Sequence, residues 1–438
     1  MELVEKMRGR VDKGEVFFIE STSRAIGFKG WKIRSSESTR ECGYGVRVIV
    51  DGRVGTAATT DTAPDALQHM LDDAIAAAKF GEELDLKFPG EDTFPALEVY
   101  DASVRDVDIP ALADAGKKLM GRLEKYKGDC DAELGSNASM LKIKLMNTEG
   151  FSGEYQKTRF GLSGALTRVK EGDIYMAWDF YSSTHIPPDI NEAINPVVDK
   201  IDSVMQYAEK IVPAPKSGKI PIVFTPSGAF TVLLPLMQGI NGNNIYTKTS
   251  PIFDKLEQKL FDEKLTIVDD GTIEKRTASV PFDAEGLPKQ KLTLVENGVL
   301  KNFIFDLTTA HKSGYSSNGC ASRSIFSPPQ PSSSNIIVSP GDKSISSIIE
   351  GIPEGIMVES VLGLGQGNIL SGAFSNPLAT AFKIENGEVI GRVKNAAIAG
   401  NVYENLKEIT AISSDTKWIY GVYSIPYIRL DNISVIGK

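Results

Sequence analysis

The stretch from residue 220 to residue 243, IPIVFTPSGAFTVLLPLMQGINGN, marks the point at which the pattern of the chain changes. Residues 220–224 form an apolar, strand-like run, and the turn residues 225–228, TPSG, follow it. A helix is expected to begin after such a turn. Helices that begin at the end of a buried strand often carry catalytic groups, yet residues 220–243 contain no ionisable side chain. The stretch therefore raises the question whether it forms an active site or only part of the core.

The helix in this stretch is predicted over residues 227–240. Phe230, Leu233, Leu234 and Met237 recur at the spacing of one helical face, so this face is expected to pack into the core. Pro235 lies in the middle of the helix, where it has no backbone N–H to donate. We therefore predict a buried helix that contains a proline.

The chain before this stretch alternates strand and helix patterns. Lysines alternate with apolar residues over 140–146, as expected for a half-buried strand. Apolar residues repeat at helical spacing over 63–80, and two further helices are predicted around 112–123 and 197–211. Residues 212–218, VPAPKSG, are rich in residues that interrupt regular structure, and they form the best candidate for a domain boundary.

Short strands separated by Gly, Asn and Asp predominate after residue 219. Asn297-Gly298 and Asn386-Gly387 favour hairpin turns. The predicted fold class is α+β, with an N-terminal α/β region of strands and long helices over 1–212 and a C-terminal, mainly antiparallel β domain over 213–438 with one helix after its first strand. A division of the first region into 1–90 and 100–212 is an alternative. The strands predicted in the second region are 265–268, 291–295, 299–305, 334–338, 356–361, 380–384 and 427–435.

The composition excludes several classes of protein. The chain has 438 residues, a formal net charge of −9 and 41% hydrophobic residues. An acidic chain without a basic run argues against binding to nucleic acid or to an anionic membrane, because phosphates require clustered Lys and Arg. No apolar run approaches the length of a transmembrane helix, and the charged first residues do not resemble a signal peptide. The three cysteines are far apart, so a cytoplasmic protein without disulfides is expected.

Residues that commonly carry out catalysis are scarce. His69, His185 and His311 are isolated in sequence, and no HExxH motif is present. His311 and Cys320 would form a base and nucleophile only if the fold brought them together. The glycine-rich run 363–367, GLGQG, lacks the lysine of a phosphate-binding loop, so its glycines more plausibly allow close approach of the backbone to another backbone or to a bound peptide.

Several segments together resemble the TldD/PmbA family, whose members are described as modulators of DNA gyrase and as zinc-dependent peptidases. Residues 42–48, CGYGVRV, are similar to the N-terminal signature of the family. LTIVDDG at 265–271 and FDAEG at 282–286 are similar to a second signature. Asn335 with PGD at 340–342 is similar to a third. The C-terminal segments GAFS (372–375), IENGE (384–388) and IAGN (398–401) extend the resemblance, in the same order, to nearly the whole chain.

The resemblance implies a zinc site in one branch of the family, where the helix carries the motif LLHExxGH. In this chain Leu233, Leu234 and Gly239 match the motif. The positions of the first histidine, the glutamate and the second histidine are occupied by Pro235, Leu236 and Ile240. None of these side chains can bind Zn²⁺ or act as a general base. The further cysteine ligand of that branch would fall near residues 418–421, WIYG, but no cysteine follows Cys320.

The missing motif is typical of the other branch, the PmbA/TldE type. Membership of this branch implies a non-catalytic subunit that pairs with a TldD-type chain, which alone would carry zinc, and that helps to enclose an unfolded peptide bound as an added strand. Neither a catalytic residue nor a metal ligand is expected in this chain, and it is expected to be inactive alone. The alternatives are a homodimeric peptide-binding or scaffold protein and a peptidase that uses other groups. The residues expected to line the peptide cavity are Gln238, Gly239, Asn241, Gly363, Gly365 and Gly367.

Overall fold

Six long strands from the first half of the chain form one antiparallel sheet in the computed structural model, which describes residues 2–437. The strands are β1 (Lys13–Lys29), β2 (Lys32–Val50), β3 (Arg53–Thr59), β4 (Cys130–Asn147), β5 (Ser152–Lys170) and β6 (Asp173–Ser183). Their order is β3-β2-β1-β4-β5-β6, which places β1 and β4 at the centre and leaves β6 at one edge. The turn Asp51-Gly52 joins β2 to β3 as a hairpin, with φ angles of 50° and 74°.

The helices of the first half cover one face of this sheet. They are α1 (Glu2–Met7), α2 (Pro64–Ala78), α3 (Ala102–Asp106), α4 (Ile109–Leu123) and α5 (Asn191–Met205). Val16, Ile26 and Phe28 of β1 pack against the helices, since every second side chain of a strand points to the same face. Phe17 points to the opposite face and packs against Phe282 from the second half of the chain. The sheet therefore separates a layer of helices from the second half of the protein.

The second half forms a larger, branched sheet. Its strands, together with a separate hairpin of β12 and β13, are β7 (Ile211–Val212), β8 (Gly218–Phe224), β9 (Ile267–Asp270), β10 (Lys291–Glu296), β11 (Val299–Leu300), β12 (Ala321–Ser322), β13 (Gln330–Pro331), β14 (Ile336–Val338), β15 (Glu354–Val361), β16 (Ala373–Glu385), β17 (Glu388–Val393), β18 (Ala396–Asn401), β19 (Ala411–Ile419) and β20 (Tyr423–Gly437). Its helices are α6 (Phe230–Gly239), α7 (Gly242–Tyr246), α8 (Leu307–Ser313), α9 (Ile345–Glu350) and α10 (Val402–Asn405).

Five strands of the second half close into a small barrel. β8 pairs with β15 and β20, β15 pairs with β16, and β18 completes the ring by pairing with both β16 and β20. The β8–β15 pairing is parallel, whereas the other four pairings of the ring are antiparallel. Closure leaves fewer exposed edges than an open sheet would present. Helix α6 packs against this barrel through Val232, Leu233 and Leu236, which belong to the main hydrophobic core.

The predicted α+β class is confirmed, and most predicted elements are present with shifted ends. The helix predicted over 197–211 covers Asn191–Met205 instead. The strand predicted over 299–305 ends at Leu300, because Ile304 donates its N–H to the carbonyl of Ile240 after α6, at 3.0 Å, and so pairs outside the sheet. Four short helices besides α6 were not predicted in the second half. The proposed division after residue 212 stays a prediction.

No helix within residues 2–437 is long and apolar enough to cross a lipid bilayer.

Candidate functional site

The entry to α6 is held tightly against the barrel. After β8 the chain turns at Thr225, whose hydroxyl donates to Glu359 Oε2 at 2.8 Å and accepts the N–H of Gly228 at 3.1 Å. A Cβ atom on Gly228 would lie 2.0 Å from the carbonyl oxygen of Val358, so only glycine allows this close approach to β15. The regular helix begins at Phe230, after this turn. The strand, turn and helix thus form one rigid unit.

The three positions that the resemblance assigns to the zinc motif lie on this helix and at its C-terminal end, where Ile240 directly follows Gly239. Leu236 is fully buried and Ile240 is 1% exposed, and both belong to the main hydrophobic core. Pro235 is also buried, at the edge of a cavity. Zinc requires nitrogen, sulfur or carboxylate ligands, which these side chains do not provide. The residues present therefore do not fit a zinc ion at this place.

Gly239 ends the helix beside Tyr403. A Cβ atom on Gly239 would lie 2.4 Å from the Tyr403 hydroxyl, so this ring occupies the space that a larger residue would need. The same hydroxyl donates to the carbonyl of Pro235 at 3.5 Å. The glycine that matches the family motif therefore permits packing of α10 against the end of α6 in this chain.

A cavity of about 430 Å³ lies beside α6. Thr231 and Pro235 line it from the helix, and residues 362–366, Ile369 and residues 373–377 form the remaining walls. Gly363 and Gly365 have φ angles of 69° and 85°, in the left-handed region that favours glycine. This glycine-rich loop is tied to the opposite wall, because the Asn376 side chain donates to the carbonyl of Leu362 at 2.8 Å.

One wall of this cavity is a strand with a free edge. Residues 373–377 of β16 pair with β18, whereas the pairing of β16 with β15 ends at Leu378. Leu362 donates its N–H to the carbonyl of Pro377 at 2.8 Å and the chain then turns away. The backbone of residues 373–376 consequently has no second partner strand among residues 2–437. A free strand edge inside a cavity is able to pair with an extended peptide.

The structure brings together only part of the predicted peptide-cavity residues. Gly363 and Gly365 line the cavity with Pro235, and Gly367 follows in the same loop. Gln238, Gly239 and Asn241 do not line it. The carbonyl of Gln238 accepts from the Asn244 side chain at 2.8 Å, and the Asn241 side chain caps α7 and donates to the carbonyl of Pro331 at 3.1 Å. Contact between a peptide and these residues stays a prediction.

Aromatic side chains surround the start of α6. Phe230 lies with its ring centroid 4.9 Å from that of Tyr420 and 4.7 Å from that of Tyr423. Trp178, from the edge strand β6, stacks on Tyr420 with a centroid distance of 5.8 Å. The fold therefore places residues 418–421, to which the resemblance assigns the cysteine of the other branch, next to α6, where Tyr420 packs against Phe230.

Charged groups that the sequence did not single out lie beside this cluster. Lys200 of α5 forms an ion pair with Glu359 at 2.5 Å, and both side chains are 11% exposed. Asp179 lies nearby, and burial raises the pKa of its carboxyl to about 6, although Lys200 and Lys417 oppose the shift. No sequence signal identifies these residues, because they lie on separate elements that only the fold brings together.

The histidines and cysteines do not form a catalytic pair. Cys320 is buried, and its sulfur contacts Asp269 Oδ2 and the carbonyl of Asn318, both at 3.7 Å. Burial raises the pKa of its thiol, which makes it a poor nucleophile. His311 is exposed on α8, and His69 is exposed on α2. His185 contacts the hydroxyl of Thr184 at 2.8 Å. Within residues 2–437 no group of three or more His, Cys, Asp and Glu side chains is placed to hold a metal ion.

The segments that carry the family resemblance meet at the junction of the two halves. Arg47 Nε lies 3.0 Å from Glu15 Oε1 and its Nη2 lies 2.8 Å from Glu285 Oε1, with all three side chains at most 3% exposed. Burial raises the pKa of Glu285 to about 8, although Arg47 opposes the shift. Gly45 passes against the backbone of Ile325, where a Cβ atom would lie 3.0 Å from its carbonyl oxygen. The N-terminal signature therefore supports contact between the halves.

This fold and this helix define an α+β protein with a small β-barrel, in which the side chains of Pro235, Leu236 and Ile240 cannot bind zinc. Residues 217–437 match the model of the PmbA/TldA metallopeptidase C-terminal domain, and residues 14–78 match that of PmbA/TldA metallopeptidase domain 1. The chain belongs to the PmbA/TldD metallopeptidase family. The predicted family is thus confirmed.

Several relatives are similar over nearly their whole length. The metalloprotease PmbA homolog of Haemophilus influenzae is 24% identical over 97% of this chain and 92% of its own. Metalloprotease PmbA of Escherichia coli is 24% identical over 94% of this chain and 90% of its own. TldE from Thermococcus kodakarensis has the same fold, with a TM-score of 0.89, 22% identity and coverage of 100% and 99% of the two chains. A proposed modulator of DNA gyrase from Bacteroides thetaiotaomicron has a TM-score of 0.86, with 21% identity and coverage of 100% and 98%.

Proposed function

We propose that this chain is the PmbA/TldE-like, non-catalytic subunit of a TldD/TldE-type zinc metallopeptidase complex. One observation carries the proposal. By the resemblance to the zinc motif, Pro235, Leu236 and Ile240 stand at the positions of its ligands and its base, and Leu236 and Ile240 are enclosed in the core. Zinc and the glutamate for hydrolysis would belong to a TldD-type partner chain. The similarity to TldE over the full length of both chains supports this assignment.

The proposed contribution of this chain is to hold an unfolded peptide. The free strand edge at 373–376 offers backbone hydrogen bonds, which bind extended peptides with little dependence on their sequence. The cavity beside it has room for side chains of the peptide. The proposed location is the cytoplasm, which agrees with three cysteines that form no disulfide. Nucleic acid is not expected as a partner of this acidic chain.

The first experiment tests the division of labour. This chain is purified alone and together with a TldD-type chain, and the cleavage of an unfolded peptide is measured with and without a chelator. We expect a stable complex, chelator-sensitive cleavage by the complex and no cleavage by this chain alone. Chelator-sensitive cleavage by this chain alone contradicts the proposal. Cleavage by this chain that resists the chelator favours a peptidase that uses other groups, and a homodimer that binds peptide but ignores every TldD-type chain favours a scaffold protein.

A pair of variants tests the peptide cavity. Ser375 is exposed on β16 and lines the cavity, whereas Ala379 is exposed on the same strand but outside it. Ser375→Trp should fill the cavity and lower the rate of cleavage by the complex by about tenfold, equivalent to about 1.4 kcal/mol. Ala379→Trp adds the same side chain and should leave the rate unchanged. Equal rates for the two variants would show that the peptide does not use this cavity.

A further inference from the structure

A second cavity, of about 260 Å³, lies between the N-terminal sheet and the second half of the chain. None of its lining residues belongs to α6. One wall is the face of the sheet, where Ile19, Ile143 and Tyr155 are neighbours across three strands. Phe282 completes this wall, with its ring centroid 5.1 Å from that of Tyr155. This side of the cavity is therefore apolar.

The remaining walls carry positive charge. Lys157 extends from β5, and Lys289 and Arg323 extend from loops of the second half. Asp283 is the acidic residue of the lining, and the three serines 332–334 add hydroxyl and backbone groups. The lining thus combines an apolar wall with three cations and one carboxylate.

Two of these cations are buried without sufficient partners. Lys289 is 8% exposed, and its ammonium group has no hydrogen bond or close ion pair within the described part of the chain, although its charge acts on Asp269 and Asp283. The side chain of Arg323 is 5% exposed; it pairs with Glu15 through Nη1 and lies over the Phe17 ring, but its Nε and Nη2 are buried without a hydrogen-bond partner among residues 2–437. Lys157 donates to the carbonyl of Thr277 at 2.9 Å. Buried cations without partners are costly, so such donors point to an anionic ligand.

The nearby carboxylates are already engaged by the backbone. Asp283 accepts the N–H groups of Glu285 at 2.9 Å, of Leu287 at 3.0 Å and of Ala321 at 3.0 Å. Asp269, behind the cavity, accepts the N–H of Ser334 at 2.8 Å. Burial raises the pKa of both carboxyls, although the charge of Lys289 opposes both shifts. Desolvation of half-buried Lys157 lowers the pKa of its ammonium group to about 8, and the charges of Lys289 and Arg159 add to this shift.

We propose that this cavity binds a small carboxylate that carries an apolar group. The carboxylate would accept hydrogen bonds from Lys289, Lys157 and Arg323, and the apolar group would lie against Tyr155 and Phe282. The volume is sufficient, because an engineered cavity of about 150 Å³ holds a benzene ring. Such a ligand is either the C-terminal residue of a peptide or a free carboxylic acid. The proposal does not depend on the proposed subunit role, since the site lies within this chain.

Isothermal titration calorimetry of the purified full chain tests the proposal. The probes are N-acetyl-L-phenylalanine and its C-terminal amide, which has the same apolar group without the charge. We expect the acid to bind at least about tenfold more tightly than the amide, because hydrogen bonds to a charged group are stronger than those to a neutral group. Lys289→Met and Lys157→Met should each weaken binding of the acid by about tenfold or more. Lys291→Met removes an exposed lysine of β10 and should leave binding unchanged.

The binding measurements have outcomes that would overturn the proposal and outcomes that identify the ligand. Equal affinity for the acid and the amide, or unchanged binding by both cavity variants, would overturn the proposal. Inorganic phosphate bound as tightly as the acid would also overturn it, because the apolar wall would then contribute nothing. Thermal unfolding shows whether each variant is folded, and half-exposed Lys157 provides a test if the change at buried Lys289 prevents folding. Tighter binding of N-acetyl-Ala-Ala-Phe than of 3-phenylpropionate identifies a peptide terminus as the ligand, and the reverse identifies a free acid.

Discussion

Single residues show how burial changes the chemistry of ordinary side chains. Asp179 lies on β6 beside Lys200, Lys417 and Glu359, and burial raises the pKa of its carboxyl to about 6. The pKa of an aspartate in an unfolded chain is about 3.9, so the folded state favours the protonated carboxyl. This contribution to stability is fully present below about pH 4 and is lost as the pH rises through about 6. At neutral pH the ionised carboxyl is therefore a source of instability.

The first prediction follows from the loss of stability that ionisation of Asp179 causes. Asp179→Asn removes the ionisable group and keeps an oxygen that accepts the N–H of Phe180, at 2.9 Å in the native protein. The difference in free energy of unfolding between the variant and the native protein should grow by about 1–3 kcal/mol between pH 4 and pH 7, in favour of the variant. Above pH 7 this difference should stay constant. Urea denaturation at several pH values measures this difference. The matched change Asp199→Asn, at an exposed position of α5, should shift the free energy by less than about 0.5 kcal/mol at every pH.

Whole elements depend on glycines where the backbone of one element touches another. Helix α2 packs directly on β3 through Gly55, where a Cβ atom would lie 2.0 Å from the carbonyl oxygen of Ala74 and 2.6 Å from the nitrogen of Ala78. Both neighbouring atoms belong to the helix backbone and cannot rotate away. The contact between α2 and β3 therefore requires glycine at position 55, because there is no space for a larger side chain.

The second prediction tests this contact. Gly55→Ala should lower the free energy of unfolding by about 1–3 kcal/mol, because α2 must move away from the sheet. Gly121→Ala, in α4, is the matched control, since no atom lies within 4 Å of its added Cβ. It should raise the free energy of unfolding by about 0.5–1 kcal/mol, because alanine favours helices over glycine. Thermal or urea denaturation measures both, and a stabilising Gly55→Ala would refute the packing argument.

At the scale of the whole molecule, buried ion pairs connect the two halves. Lys200 of α5 binds Glu359 of β15, Arg47 lies between Glu15 and Glu285, and Arg323 pairs with Glu15. Removing one partner of a buried ion pair destabilises a protein far more than the intact pair stabilises it, because the other charge stays buried. The halves are therefore expected to unfold together.

The third prediction concerns the Lys200–Glu359 pair. Lys200→Met should lower the free energy of unfolding by about 3–5 kcal/mol, because it leaves Glu359 buried and unpaired. Adding Glu359→Gln removes that charge and keeps an acceptor for Thr225, so the double variant should recover more than half of the loss. Lys29→Met breaks an exposed pair with Glu133 and should cost at most about 1 kcal/mol. A double variant no more stable than Lys200→Met would show that the buried charge is not the cause.

Local features of the fold were predictable because they depend on neighbouring residues. Asn297-Gly298 and Asn386-Gly387 adopt the positive φ angles of tight hairpin turns, at 47° and 79° and at 50° and 80°. The helix predicted over 63–80 is observed as Pro64–Ala78. Element ends were less predictable, as the early end of α5 shows, because they depend on the surrounding tertiary contacts.

The sequence by itself determined that Pro235, Leu236 and Ile240 cannot bind zinc, because that conclusion rests only on the atoms of each side chain. The tertiary structure alone decided which distant groups meet. It closed the barrel through β18, left the strand edge at 373–376 free and placed Lys157 and Lys289 around one cavity. The physical reason is that contacts between residues far apart in the chain arise from the packing of whole sheets, which no local pattern of residues records.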